Sequence, residues 1–117
     1  MTPEEKEEHI QRQVLRRRQV GYDLKKKHGL TIEEYDAMLE QQGGSCAICG
    51  KKPTADRQMP VDHDHRCCPG EKTCRKCIRG ILCITCNVWL GLYENEEWIA
   101  KAENYLQRAI DNTHNWK

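Results

Sequence analysis

RGILCITCNVWLG, residues 79–91, is the stretch on which the reading of this chain turns. Ile81-Leu82 suits a short strand, and the run from about Ile84 to Leu92 suits a short helix. Where the two meet stands Cys83-Ile84-Thr85-Cys86, the C-x-x-C spacing that lets two thiolates of one tight turn reach the same tetrahedral zinc. A matching turn lies upstream, Cys46-Ala47-Ile48-Cys49, with Gly50 placed to close it. Two such knuckles far apart in sequence make a closed four-thiolate site with no open position for a substrate, so it reads as structural. The competing reading is a thioredoxin-like redox pair. That needs only one C-x-x-C, set in a βαβ pattern that this sequence lacks.

A partner for the Ile81-Leu82 strand is found in VDHDHRCCPG, residues 61–70, and the residues just before it. Met59, Val61 and His63 alternate as on a strand, so a hairpin followed by a short helix is the simplest arrangement. Helices flank it. Good helix formers run from Pro3 to about Lys27, with sparse apolar positions and a weak point at Gly21 where the helix is expected to bend. His28-Gly29 ends it. Thr31 with Glu34 forms a capping box for a second helix, whose Ile32, Tyr35, Met38 and Leu39 keep amphipathic spacing until Gly43-Gly44 stops it. Asn95 is placed to cap a last helix in which Trp98, Ala102, Tyr105, Leu106 and Ala109 line one face, expected to pack on the core.

With 117 residues, 38% of them hydrophobic and no Phe, the chain buries only a modest apolar core, so something else must hold it together. Its eight cysteines are the obvious means. The start, MTPEEKEEHIQRQ, has no apolar h-region and no segment approaches membrane-spanning length, so a cytoplasmic protein with metal-bound cysteines is expected rather than a disulfide scaffold. Zinc bound by the two knuckles would contribute on the order of 10 kcal/mol to folding. Net charge is only +1 but unevenly spread. Seven basic residues (Arg12, Arg16, Arg17, Arg18, Lys25, Lys26, Lys27) stand against the single acid Asp23. A second basic region holds Lys51, Lys52, Arg57, Arg66, Lys72, Arg75, Lys76 and Arg79. Such segregation fits a surface that meets a polyanion, and it fits an ordinary solvated helix face as well.

Cys67, Cys68, Cys74 and Cys77 remain, all in the hairpin connection. The Cys74-x-x-Cys77 turn suits a second zinc, with His65 able to replace one thiolate; the adjacent pair Cys67-Cys68 is poorly suited to tetrahedral geometry, and disulfides or free thiols are the alternative.

Asn87 follows directly on the ligand Cys86, and the strand carrying Asp62 and His63 pairs beside it. Successive strand side chains point to opposite sides, which lets Asp62 and His63 flank one bound group. An aspartate oxygen and an asparagine carbonyl are hard ligands suited to magnesium or manganese. Histidine, titrating near neutrality, suits a general base. Together they supply what phosphodiester hydrolysis requires: a base to activate water and a cation to offset charge on phosphate and leaving oxygen. Asp64 reads as a solvated surface residue.

At this point a resemblance enters. The run GLTIEEYDAMLEQQGGSCAICGKKP, then VDHDH, then RGILCITCNVWLG resembles the recombination endonuclease VII family, part of the HNH or ββα-metal nucleases. It extends from about Gly29 to Leu92 and implies a structural zinc on Cys46, Cys49, Cys83 and Cys86. It also implies His63 as general base, Asp62 and Asn87 as ligands of the catalytic divalent metal, and His65 as an assisting residue on the phosphate. Two features depart from it. The position three residues after Asn87, a glutamate in some relatives, is Leu90. Nothing after about Asn112 is long enough to match the C-terminal portion with which junction-resolving relatives engage branched DNA.

The expectation is therefore a small, metal-stabilised α+β protein. It has a ββα-metal (HNH) hairpin-helix core, a four-cysteine zinc site, N-terminal helices and a C-terminal helix. Residues 1–28 form a basic helix, 29–112 a single nuclease domain and 113–117 a short tail. The resemblance points to a phage or prophage gene and to an HNH-type endodeoxyribonuclease nicking or cutting DNA; action on branched DNA is left open by the missing C-terminal portion. DNA would be met through the phosphate backbone; a homodimer is compatible with the sequence. The alternative of a different class is a non-catalytic zinc-ribbon DNA-binding module, which needs the knuckles and the basic residues but has no use for Asp62-His63 beside Asn87.

Overall fold

The computed structural model describes residues 1–54 and 58–113. Arg57 of the second basic region and residues 114–117 of the expected tail lie outside the described residues.

Helix α1 spans Pro3–His28, and its ends explain its limits. The Thr2 hydroxyl accepts the Glu5 N–H, Pro3 occupies a first-turn position where a missing N–H costs nothing, and Gly29 closes the helix at φ 67°. The helix continues through Gly21, where a Cβ would make only ordinary van der Waals contact, 4.0 Å from Ile32 of the next helix. Leu24 is the buried residue of α1, so the helix docks through its C-terminal part and leaves Ile10, Val14 and Leu15 exposed. Helix α2, Ile32–Gln41, opens on the expected capping box. Its Tyr35 is buried and donates its hydroxyl to Met59 O at 2.7 Å, tying the helix to the chain entering the hairpin.

The hairpin pairs β1 (Val61–His63) with β2 (Ile78–Ile81) antiparallel, in the register Val61↔Ile81, Asp62↔Gly80 and His63↔Ile78, with an irregularity between Asp62 and His63. Both strands differ from expectation. Met59 lies before β1, although buried, and Leu82 lies beyond β2, held instead by its N–H to Pro60 O at 3.1 Å. All three residues of β1 are buried, so the strand does not alternate between core and water. The outer edge of β2 is satisfied by a side chain: Gln42 accepts the Ile81 N–H at 2.8 Å and donates to Ile81 O at 2.9 Å. Gly80 leaves room for it, since a Cβ there would stand 3.0 Å from the Gln42 oxygen.

Helix α3, Ile84–Tyr93, follows with Cys83 as its N-cap, and α4, Glu96–Thr113, starts where Asn95 Oδ1 accepts the Trp98 N–H at 3.0 Å. Here an expectation fails. Trp98, Tyr105 and Leu106 are 45%, 62% and 57% exposed, so the apolar face of α4 does not form core. The helix contacts α3, and Ile99, Ala102 and Ala109 are only half-buried. The core gathers Leu24, Leu30, Tyr35, Met59, Val61, Ile81 and Leu82 around Cys46, Cys83 and Cys86, with Ile81 fully enclosed. Among the described residues no helix is long and apolar enough to cross a membrane.

Candidate active site and metal centres

Both ends of the hairpin carry a cluster of four cysteines. At the open end, Cys46 N–H bonds Lys51 O at 2.8 Å and Gly50 N–H bonds Cys46 O at 3.0 Å, curling the first knuckle with Gly50 at φ 76°. Ala47 N–H bonds Ile81 O at 3.2 Å and hangs this knuckle on the end of β2. The sulfurs of Cys46, Cys49, Cys83 and Cys86 then lie within 4.8 Å of one another. At the closed end Cys67, Cys68, Cys74 and Cys77 do the same, Cys74 capping and Cys77 ending a single 3₁₀ turn at Arg75–Cys77.

Zinc–sulfur bonds of ~2.3 Å directed to the corners of a tetrahedron set sulfurs ~3.8 Å apart, whereas a disulfide holds them at ~2.05 Å. Among the sulfur pairs, all within 4.8 Å in each cluster, Cys49–Cys83 stand 3.7 Å apart, Cys67–Cys74 3.5 Å and Cys67–Cys68 4.0 Å. They match the tetrahedral edge. All eight cysteines are free thiols, so the disulfide alternative finds no support among the described residues. The vicinal pair joins this group, its two sulfurs 4.0 Å apart. The second cluster is complete without His65, which is exposed and lies against His63 at a ring distance of 4.3 Å, the rings tilted by 49°.

Electrostatics within each cluster favour a dication. Burial raises the Cys46 thiol, but N–H groups of Cys49, Cys83 and Ile48 bring it down to about 6, while burial and the neighbouring sulfurs push Cys86 up to about 12. In the other cluster the sulfurs of Cys67, Cys68 and Cys77 lower Cys74 to about 7 and contacts with Cys74, Cys77 and Cys68 raise Cys67 to about 12. One thiolate forms and discourages the next, a repulsion that a bound Zn²⁺ removes.

Asp62 and His63 lie between the two clusters, each 6% exposed. Asp62 is clamped by Arg79 of β2, with Nε on Oδ2 at 2.8 Å and Nη2 on Oδ1 at 3.1 Å, while Nη2 also reaches Glu94 at 2.8 Å. Hydrogen bonding to Asp62 raises the Arg79 pKa further, so the guanidinium stays charged. His63 Nε2 lies 3.0 Å from Cys68 O and 3.2 Å from Gly70 O. Carbonyl oxygens only accept, so Nε2 carries a proton, and in the neutral ring the lone pair is on Nδ1. His28 at the end of α1 stands 6.3 Å from the His63 ring and bonds Thr73 at 3.0 Å; burial, then the positive field of His63 and Lys27, lowers its pKa. Asn87 is half-buried in the first turn of α3, its N–H on Cys83 O at 2.9 Å. Asp64 is not simply solvated. Arg66 binds it at 3.0 Å and its pKa falls to about 2, chiefly through that side-chain hydrogen bond.

An open groove of about 1090 Å³ adjoins the site, its lining including His65, Arg66, Arg79, Glu94, Glu96 and Glu103. Several arginines of the basic regions are already engaged: Arg17 with Asp36, and Arg75 with Glu34, which it helps lower to about 2. Lys25, Lys26 and Lys27 are exposed.

Residues 17–108 match the family model described as recombination endonuclease VII. The chain belongs to the recombination endonuclease VII family. Two curated relatives are each called Gene 59 protein. The one from Mycobacterium phage D29 is 39% identical over 85 residues and that from Mycobacterium phage L5 33% identical over 85 residues. Each alignment covers 72% of this chain and 43% of the relative, so this endonuclease VII family chain spans less than half the length of those proteins. No solved structure matches it.

Three features of the site escape a reading by motif: the Arg79 clamp, the Gln42 clamp on β2, and the carbonyls that hold His63. Arg79 had a signal, a cation next to the residue that pairs with Asp62. The carbonyls had none, since any residue supplies one.

Proposed function

We propose that this chain is a divalent-metal-dependent DNA endonuclease of the HNH type, with β1, β2 and α3 as its ββα-metal core and residues 29–112 as the nuclease unit. The observation that carries the reading is the His63 ring, buried beside Asp62 and bonded through Nε2–H to two backbone carbonyls. This leaves Nδ1 to take the proton of an attacking water, the work of a general base. Asp62 and Asn87 offer one carboxylate and one amide oxygen, donors that fit a hard cation. Magnesium or manganese held there would offset charge on the scissile phosphate and the leaving oxygen. Both Asp62 oxygens face Arg79, so Arg79 must share or release the carboxylate when a cation arrives, and its Nε, which has no bond to Glu94, can then meet a phosphate. His65, exposed on the His63 ring, assists at the phosphate. Leu90 packs against the core and offers no further carboxylate. Zinc in the first cluster fixes the knuckle, the end of β2 and the start of α3 to one another. DNA is met through exposed lysines such as Lys25–Lys27.

A zinc-ribbon binding module would explain the cysteine clusters, yet it needs neither a buried carboxylate nor a pinned imidazole. The test is incubation with supercoiled, linear and four-way-junction DNA, with magnesium, with manganese and with EDTA. Metal-dependent nicking or cutting is expected; binding without strand scission under every condition favours the module.

A further inference from the structure

Between Cys68 and Thr73 the hairpin connection has little to hold it. Pro69, Gly70, Glu71 and Lys72 are exposed, and none belongs to the core. The loop is fastened at its margins: Asp64 N–H to Cys77 O at 2.8 Å, Cys67 N–H to Asp64 O at 3.1 Å, and Thr73 N–H to Lys27 O at 2.8 Å. Within it, the described contacts are those of the sulfur cluster, including Cys74 N–H to Cys68 Sγ at 3.2 Å, and those of the His63 ring. The carbonyls that orient His63 belong to Cys68, itself one of the four cysteines, and to Gly70, two residues further on.

We propose that Cys67, Cys68, Cys74 and Cys77 bind a second zinc ion whose task is to position His63: by fixing the loop it holds the Cys68 and Gly70 carbonyls on Nε2–H and keeps Nδ1 as the proton acceptor. The site's geometry suits the ion, with measured sulfur separations of 3.5 and 4.0 Å around the tetrahedral edge. Without the ion, only Cys77 of the four thiols is buried, and Cys67, Cys68 and Cys74, exposed or partly exposed beside a loop with no core residue, do not hold one arrangement; a ring nitrogen whose acceptors wander loses its fixed tautomer. These cysteines are positioning residues, acting through His63. The first cluster cannot substitute, because it fastens the opposite end of the hairpin. The inference rests on His63 as the base for its effect on cleavage, but its structural part does not.

The test uses the full chain and the double variant Cys67→Ser/Cys74→Ser, both exposed positions. Elemental analysis should find two zinc atoms per parent chain and one per variant, with far-UV circular dichroism unchanged. Imidazole ¹⁵N spectra should show His63 as a single Nε2–H tautomer in the parent and as an averaged mixture in the variant. On DNA, kcat should fall at least about tenfold while KM moves little, since the base and not the phosphate grip is disturbed. Should the variant fail to fold, stepwise zinc addition to metal-free parent replaces it, and the second equivalent should sharpen the His63 signals. One zinc per parent chain, or His63 signals indifferent to the second zinc, would overturn the proposal. If His63 responds to zinc as described and the parent cleaves no DNA, the nuclease reading fails and the zinc-held imidazole stands.

Discussion

Replacing Arg79 by methionine keeps most of the side-chain volume and removes the cation that faces Asp62. Asp62 is 6% exposed and both its oxygens lose their donor, so a buried carboxylate is left without a counter-charge. Breaking a fully buried pair in this way costs about 3–5 kcal/mol. The Arg79 side chain is 35% exposed, and water screens part of that interaction, so about 2 kcal/mol is the expected loss. At roughly 4–8 °C per kcal/mol for a domain near this size, Tm should fall by about 10 °C in zinc-loaded protein kept free of magnesium. Magnesium should then reverse the loss, because the vacated carboxylate is open to it: at a hundredfold excess over Kd, binding returns about 2.7 kcal/mol. The parent should gain less, since there the cation competes with Arg79. Differential scanning calorimetry with and without magnesium reads all four values. Arg79→Met melting with the parent, or destabilised but indifferent to magnesium, would refute Asp62 as a cation ligand.

Cys46→Ser or Cys86→Ser should cost the fold itself, since binding worth on the order of 10 kcal/mol is lost from a small core; zinc content and far-UV circular dichroism check it, and a zinc-free variant with native spectrum would contradict it. His28 has a folded-state pKa below its ordinary value of 6.5, lowered first by burial, so the unfolded chain binds more protons below that pH. Stability should therefore decline as pH falls from about 6.5 through the folded pKa, and the difference between parent and His28→Gln in urea titrations across that window isolates this part. Lys25, Lys26 and Lys27 changed together to Gln should weaken binding to every DNA sequence alike and reduce the slope of log K against log salt by about 2–3 if all three meet phosphates. An unchanged slope would make them a solvated helix end.

Local chemistry was legible in the sequence wherever a few neighbouring residues settle a conformation. The Thr31–Glu34 capping box, the Gly29 helix stop, the Asn95 cap and the Cys46/Cys49/Cys83/Cys86 grouping all follow from spacing, and each is present in the fold. What was lost depends on tertiary neighbours. An amphipathic pattern says that α4 has an apolar face, not that something covers it, and Trp98 and Tyr105 stay exposed. The strand pattern around Met59–His63 did not reveal that Asp62 is buried too, because the cover comes from Arg79 across the hairpin. Gln42 completes the β2 edge from 39 residues away, a contact no short window contains. The roles of Asp62, His63 and Asn87 rest on residue chemistry and family resemblance. The fold adds the burial, the clamp and the pinned ring.

Cleavage of supercoiled plasmid by the parent, His63→Ala and His65→Ala, side by side in magnesium, tests the central claim most directly. His63→Ala leaves the zinc ligands and the exposed lysines untouched, so it should keep its zinc and its DNA affinity while cleavage drops about a hundredfold or more, with His65→Ala losing less. If His63→Ala cuts like the parent and His65→Ala does not, the base is the other histidine; if both cut like the parent, the account of this site is wrong.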